Sequence, residues 1–141
     1  MTIRWSSPID PSPPSASADG GILQHHKEGH PTAITVHLYY TGTGGAARAF
    51  AQEMTAGGTV QAIRQEEGNL QYQYFFPMED EETVLLIDSW ASQQALDAHH
   101  ASPMMDIIIA LREKYDLHMR AERFHSDGQG LPPGDAAFLR K

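Results

Sequence analysis

The chain predicts a single α+β domain with the order β-α-β-β-α-β, its four strands forming one antiparallel sheet with helices on one face. Three observations carry that expectation. Strict two-residue alternation marks segments such as 34–40 and 83–90, whereas 46–56 and 103–115 repeat their apolar residues at helical spacing. Turn and cap residues separate them in the right places. The length of 141 residues suits one domain with a proper core and is short for two.

Ile34, Val36, Leu38 and Tyr40 alternate with Thr35, His37 and Tyr39 in the first strand. Both sets are fairly apolar, which predicts a strand covered on both faces. Gly42, Gly44 and Gly45 make the turn into a helix over 46–56, with Ala47, Phe50, Ala51 and Met54 on one face. Gly57 and Gly58 weaken it. It resumes over 59–66, with Gly68 as the stop. The second strand spans 69–76, with Leu70, Tyr72 and Tyr74 on one face, and an acidic solvated turn follows at 77–82. The third strand, 83–90, puts Val84, Leu86, Asp88 and Trp90 on one face and Leu85, Ile87 and Ser89 on the other. Ser92 caps a short helix carrying Ala95, Leu96 and His99 inward, with His100 on the surface. Ser102 and Pro103 start the next helix, whose buried face is Met104, Ile107, Ile108, Leu111 and Tyr115. The fourth strand is expected over 117–124.

The domain therefore spans 32–124, between a Pro/Ser-rich arm at 1–31 and a polar tail at 125–141 that ends in an apolar pair, Phe138 and Leu139. Trp5, Ile9, Ile22 and Leu23 of the arm are candidate anchors on a neighbouring subunit. Helices on one side leave the other sheet face bare. A second copy is the natural cover, predicting a homodimer with sheets packed face to face.

A formal charge of −8 argues against a nucleic-acid partner, because phosphate binding needs a basic surface. The absence of cysteine removes disulfides and thiolate chemistry. The first residues lack the apolar segment of a secretory signal, and the longest aliphatic run, 107–111, is too short to cross a bilayer. A cytoplasmic protein with no membrane partner is the expectation. His25, His26 and His30 match no closed zinc pattern, and the glycine-rich turn at 42–45 lacks a phosphate-loop lysine, so neither metal nor nucleotide is expected.

Chemistry concentrates where the second and third strands meet the helices. Trp90 is either a core tryptophan or the wall of a pocket for a planar ligand. His99, on an inward helix face, is either a hydrogen-bonded core histidine or a general base. His37 faces the pocket or the subunit interface. Tyr72 and Tyr74 border the pocket or pack in the core, and Asp88, half-buried, needs a partner among Arg64, Arg120, Arg123 or a histidine. Met104 and Phe50 complete the candidate lining.

Taken together, Glu66-Glu67-Gly68-Asn69-Leu70-Gln71-Tyr72, Asp88-Ser89-Trp90, Ala95, His99 and Ser102-Pro103 resemble the pattern of the antibiotic biosynthesis monooxygenase domain family. The resemblance covers about 32–124. It implies a ferredoxin-like domain that dimerises into an α+β barrel. Family members oxidise quinols and polyketide phenols without metal or flavin, degrade haem, or isomerise a sugar phosphate. Ile109 stands near the place of the haem-ligating histidine, and Met104 and Met105 stand where many members carry a histidine after Ser-Pro. The resemblance thus implies a cofactor-independent monooxygenase using O2 on a hydroquinone or polyketide phenol, with His99 or His37 handling the proton. The alternatives are an isomerase or other proton-transfer enzyme on a small oxygenated metabolite, for which inward arginines would speak, and a non-catalytic binding module, whose pocket Met104, Phe50 and Trp90 would themselves fill.

Overall fold

A computed structural model describes residues 31–140. The arm readings, including Trp5 and the histidines at 25, 26 and 30, lie outside the described residues. In order, the elements are β1 (Ile34–Thr41), α1 (Ala46–Ala56), α2 (Thr59–Arg64), β2 (Asn69–Phe75), β3 (Thr83–Trp90), α3 (Gln93–His100), α4 (Met104–Lys114), β4 (His118–His125) and a short α5 (Pro133–Ala136). The strands make one antiparallel sheet ordered β2-β3-β1-β4, with the helices on a single face. This is the ferredoxin-like arrangement expected from the sequence.

Alternation divides the sheet cleanly. On the helix side, Tyr72, Asp88, Val36 and Arg123 lie level across the four strands, and Tyr74, Leu86, Leu38 and Ala121 make the next row. Opposite them, on the open side, run Gln73, Ile87, His37 and Glu122, then Phe75, Leu85, Tyr39 and Arg120. The core is built from Ile34, Tyr40, Phe50, Met54, Ile63, Tyr72, Val84, Leu86, Trp90 and Ile108, all essentially sealed from solvent.

Coverage of the helix side is uneven. α1 lies against β1 and β3, α2 against β2, and α3 against β3, while α4 leans chiefly on the other helices. β4 is exposed along its whole length, and Val36 and Leu38 of β1 are only half-buried. A strip over β1 and β4 therefore stays open on the side where a closed core was expected.

Several local expectations shift for identifiable reasons. The helix after β1 breaks at Gly57 and Gly58, the latter in a left-handed conformation at φ 85°, so α1 and α2 are separate. A bulge between Asn69 and Gln71 ejects Leu70, which is 44% exposed and does not share the face of Tyr72 and Tyr74. Because α4 is not pressed onto the sheet, Ile107 and Ile109 are exposed and Ile108 alone of that helix is fully buried. Pro103 takes the cap position of α4, and Ser102 Oγ accepts from the Met104 N–H at 3.3 Å. His100, expected on the surface, is half-buried beside His99. The tail continues past β4, where the Ser126 N–H bonds the Ala33 carbonyl, but Phe138 and Leu139 are exposed and anchor nothing on their own protomer. Among the described residues no helix is long and apolar enough to cross a membrane.

Candidate active site

The turn that brings the site together is 65–68. Gly68 has φ +86°, and a Cβ on it would meet the Ala95 Cβ at 2.5 Å. Only glycine lets this turn press against α3 so closely, and the Gly68 carbonyl then accepts the Ala91 N–H at 2.7 Å. Glu66 is thereby set beneath α3. The N-terminus of α3 is fixed by Ser92, whose Oγ accepts from the Ala95 N–H. Two turns later the helix delivers His99 inward.

His99 is 3% exposed, and its Nδ1 lies 2.7 Å from Glu66 Oε1. A carboxylate oxygen accepts, so Nδ1 carries the proton, and a neutral ring presents Nε2 as an acceptor. The ring stacks on Trp90 at 4.7 Å between centroids and 24° between planes, with Tyr72 edge-on at 6.1 Å. Trp90 in turn donates its indole N–H to Asp88 Oδ1 at 2.5 Å. The partner of Asp88 is thus the aromatic two residues along its own strand, rather than an arginine. Burial pushes the Asp88 carboxyl up to about 6, with His99, the Trp90 N–H and Arg112 pulling it down and Glu66 pushing it up. Burial likewise raises the phenols of Tyr72 and Tyr40, and lowers His100 to about 4.

The structure unites Trp90, His99, Tyr72 and Asp88, with Tyr74 edge-on to Tyr72 at 5.9 Å, and separates Phe50, Met104 and His37 from them. Phe50 belongs to a second aromatic group at the far end of the sheet, 4.9 Å from Tyr40 and 6.0 Å from Tyr74. Met104, at the start of α4, packs half-buried against the core. His37 faces the open side, across the sheet from His99, so the two histidines cannot serve one site. It sits 3.9 Å from Glu122 and 4.9 Å from the Phe124 ring. An open groove of about 580 Å³ lies between α1 and the β2 edge, lined by Ala51, Gln52, Thr55, Ala56, Tyr74, Phe75 and Phe76. It shares only Tyr74 with the candidate lining.

Two residues outside the expected set belong near the site. Glu66 was visible only as part of the Glu-Glu-Gly turn, with nothing to show that it meets His99. Arg112 follows Ile108 by one helical turn, a spacing that places it on the inward face of α4. It donates from Nη2 to the Tyr40 hydroxyl at 3.1 Å. Of the arginines weighed from sequence, Arg64 donates to the Tyr72 carbonyl, Arg120 covers the Tyr39 ring on the open side, and Arg123 bonds Gln93 at the exposed rim.

Fold and site define an α+β protein of the ferredoxin-like class with a buried aromatic, histidine and carboxylate cluster. Residues 33–110, more than half of the chain, match the antibiotic biosynthesis monooxygenase family, and the protein belongs to it. No curated protein matches the sequence. Among solved structures, PA3566 from Pseudomonas aeruginosa is 25% identical, with a TM-score of 0.59 over 69% of this chain and 97% of that one. A candidate antibiotic biosynthesis monooxygenase from Deinococcus radiodurans is 19% identical, with a TM-score of 0.61 over 70% and 96%. SnoaB, a cofactor-independent oxygenase from Streptomyces nogalater, is 16% identical, with a TM-score of 0.59 over 71% and 97%.

Proposed function

We propose that the protein is a cofactor-independent monooxygenase acting on a small electron-rich aromatic, a hydroquinone or a hydroxylated polyketide. The supporting observation is the Glu66–His99 pair set beside Asp88 and walled by Trp90 and Tyr72. An ionised phenol can itself pass one electron to O2, and recombination of the resulting radical with superoxide places oxygen on the ring before water is lost. The protein then needs to bind the ring, handle a proton and stabilise an anion, which these side chains are equipped to do. Trp90 and Tyr72 wall the pair from behind, and His99 and Asp88 are the two groups able to handle the proton. Family membership supports the reaction class. That SnoaB is a cofactor-independent oxygenase supports the absence of metal or flavin.

Arg112 is inward, donating to the Tyr40 hydroxyl, and is the observation that favours an isomerase; the three arginines weighed from sequence speak against a phosphorylated substrate. Arg64 is spent on a backbone carbonyl, Arg120 lies on the opposite sheet face, and Arg123 stands at the rim. The non-catalytic reading gains from one observation: Trp90 and Phe50 are wholly buried, filling the space that a ligand would use beside them. Oxygen uptake with a panel of hydroquinones, without added metal or flavin, separates the two. Uptake with formation of an oxygenated product supports the oxygenase, and silence across the panel leaves the binding module.

Homodimerisation is part of the proposal. Tyr39, Phe75, Leu85, Ile87 and Phe124 form an apolar open face that no helix covers among the described residues. A second copy packed on it would complete the α+β barrel, and sedimentation at micromolar concentration should give a mass near twice 15.6 kDa.

A further inference from the structure

The row Tyr72, Asp88, Val36, Arg123 runs from sealed to open. At its β2 end Tyr72 is 2% exposed and His99 stands over it, closed in by the Glu66 turn and by Trp90. Toward β4 the row opens: Val36 is half-buried and Arg123 exposed, and in the next row Leu38 is half-buried and Ala121 exposed. A flat ligand entering over β1 and β4 would rest on Val36, Leu38 and Ala121. Past the exposed Arg123 of β4, the first carboxyl along the row is Asp88, the register neighbour of Val36 on β3 and itself 5% exposed. His99 lies one strand deeper, its Nδ1 committed to Glu66 and one ring face to Trp90.

We infer that Asp88, rather than His99, exchanges the proton with a substrate lying over Val36, Leu38 and Ala121, with the His99–Glu66 pair as its positioning partner. The inference rests on the oxygenase reading above. In the step, the O–H bond of a substrate phenol breaks, its proton moves to Asp88 Oδ2, and the bonding pair stays on the phenolate oxygen. Oδ1 remains held by the Trp90 indole, which fixes the carboxylate plane. The groups that face Asp88 are His99 from α3, Glu66 from the turn after α2, Arg112 from α4, and the phenols of Tyr72, Tyr74 and Tyr40 from the flanking strands. Burial outweighs the cations among them and lifts the carboxyl to about 6, so it is an ionised acceptor near neutral pH while still able to hold a proton.

The test is the pH profile of kcat/KM for hydroquinone oxidation in the full chain, paired with a titration that needs no turnover. Wild type should show a limb rising through about pH 6. Asp88→Asn should abolish that limb and lower turnover by roughly 10²–10⁴-fold, the usual contribution of a positioned proton acceptor, and Asp88→Glu should restore part of both. His99→Gln should keep the limb but move it to higher pH, because the imidazole that helps to hold the Asp88 carboxyl down is gone. The chain has two tryptophans, so in a Trp5→Phe background the Trp90 fluorescence reports protonation of its Asp88 partner directly. A limb that survives in Asp88→Asn, or vanishes in His99→Gln, overturns the assignment in favour of His99. A fluorescence transition near pH 6 without oxidation of any hydroquinone by wild type places the failure in the oxygenase reading, and the proton step falls with it.

Discussion

Two histidine–glutamate pairs sit on opposite faces of the same sheet, and their difference shows what burial does to identical chemistry. His99 and Glu66 are 2.7 Å apart with side chains 3% and 21% exposed, whereas His37 and Glu122 are 3.9 Å apart with side chains 27% and 44% exposed. The first pair comes from a helix and a turn clamped together by Gly68, stacks on Trp90 and adjoins a buried carboxyl. The second lies across neighbouring strands in a surface lattice with Arg120 and Tyr39, where water screens every charge. Only the buried pair can hold a charge in place without reorganising solvent, which is what a reacting group needs.

The sharpest way to break the comparison is to remove a histidine from each pair. His99→Gln is expected to lower turnover by roughly 10–10²-fold, less than loss of the direct acceptor. His37→Gln should leave turnover per folded molecule unchanged. Equal losses in the two variants, measured under single-turnover conditions, would mean that both faces serve the reaction.

A second prediction concerns stability. The folded carboxyl of Asp88 titrates at about 6 against 3.8 for the unfolded chain, so the folded state binds the proton more tightly. Its contribution is fully present below about pH 3.8 and is lost as the pH rises through 6. At pH 8 the buried charge costs up to about 3 kcal/mol. Asp88→Asn, whose amide oxygen still accepts from Trp90, should therefore raise Tm at pH 8, and the gain should shrink towards zero near pH 4. A gain independent of pH would point to packing instead of charge.

Gly68→Ala tests the clamp. The positive φ and the 2.5 Å approach to Ala95 should cost about 1–3 kcal/mol, read by urea unfolding, and should loosen Glu66 from His99. A neutral result would show that the turn can shift freely. The smallest effect is expected from Glu122→Gln on the open face, within about 0.5–1 kcal/mol by the same measurement. A larger loss would show that this pair is desolvated by a second subunit.

Much of the fold was legible in the chain because two-residue alternation and helical repeats report which face each residue must turn to the core. Asp88 and Trp90 could be placed together on one side of β3 from their spacing alone. The cap at Ser92 and the close turn at Gly68 were readable for the same reason, as both express local backbone needs. Glu66 was not readable as a partner of His99, because that contact spans 33 residues and depends on how far α3 tilts over the turn. His37 was also undecided. Alternation gives two faces but not which one the helices cover.

The residues alone thus determined the order of the strands, the two faces of β1 and β3 and the resemblance to the family, since these follow from local sterics and the burial of apolar surface. Tertiary packing alone decided that α4 rests on its neighbouring helices and leaves β1 and β4 open, that His37 and His99 are parted by the sheet, and that the Trp90 indole rather than an arginine is the partner of Asp88. The physical reason is that each depends on the relative placement of surfaces distant in the chain, where a tilt of one helix changes which polar group loses its water and which keeps it.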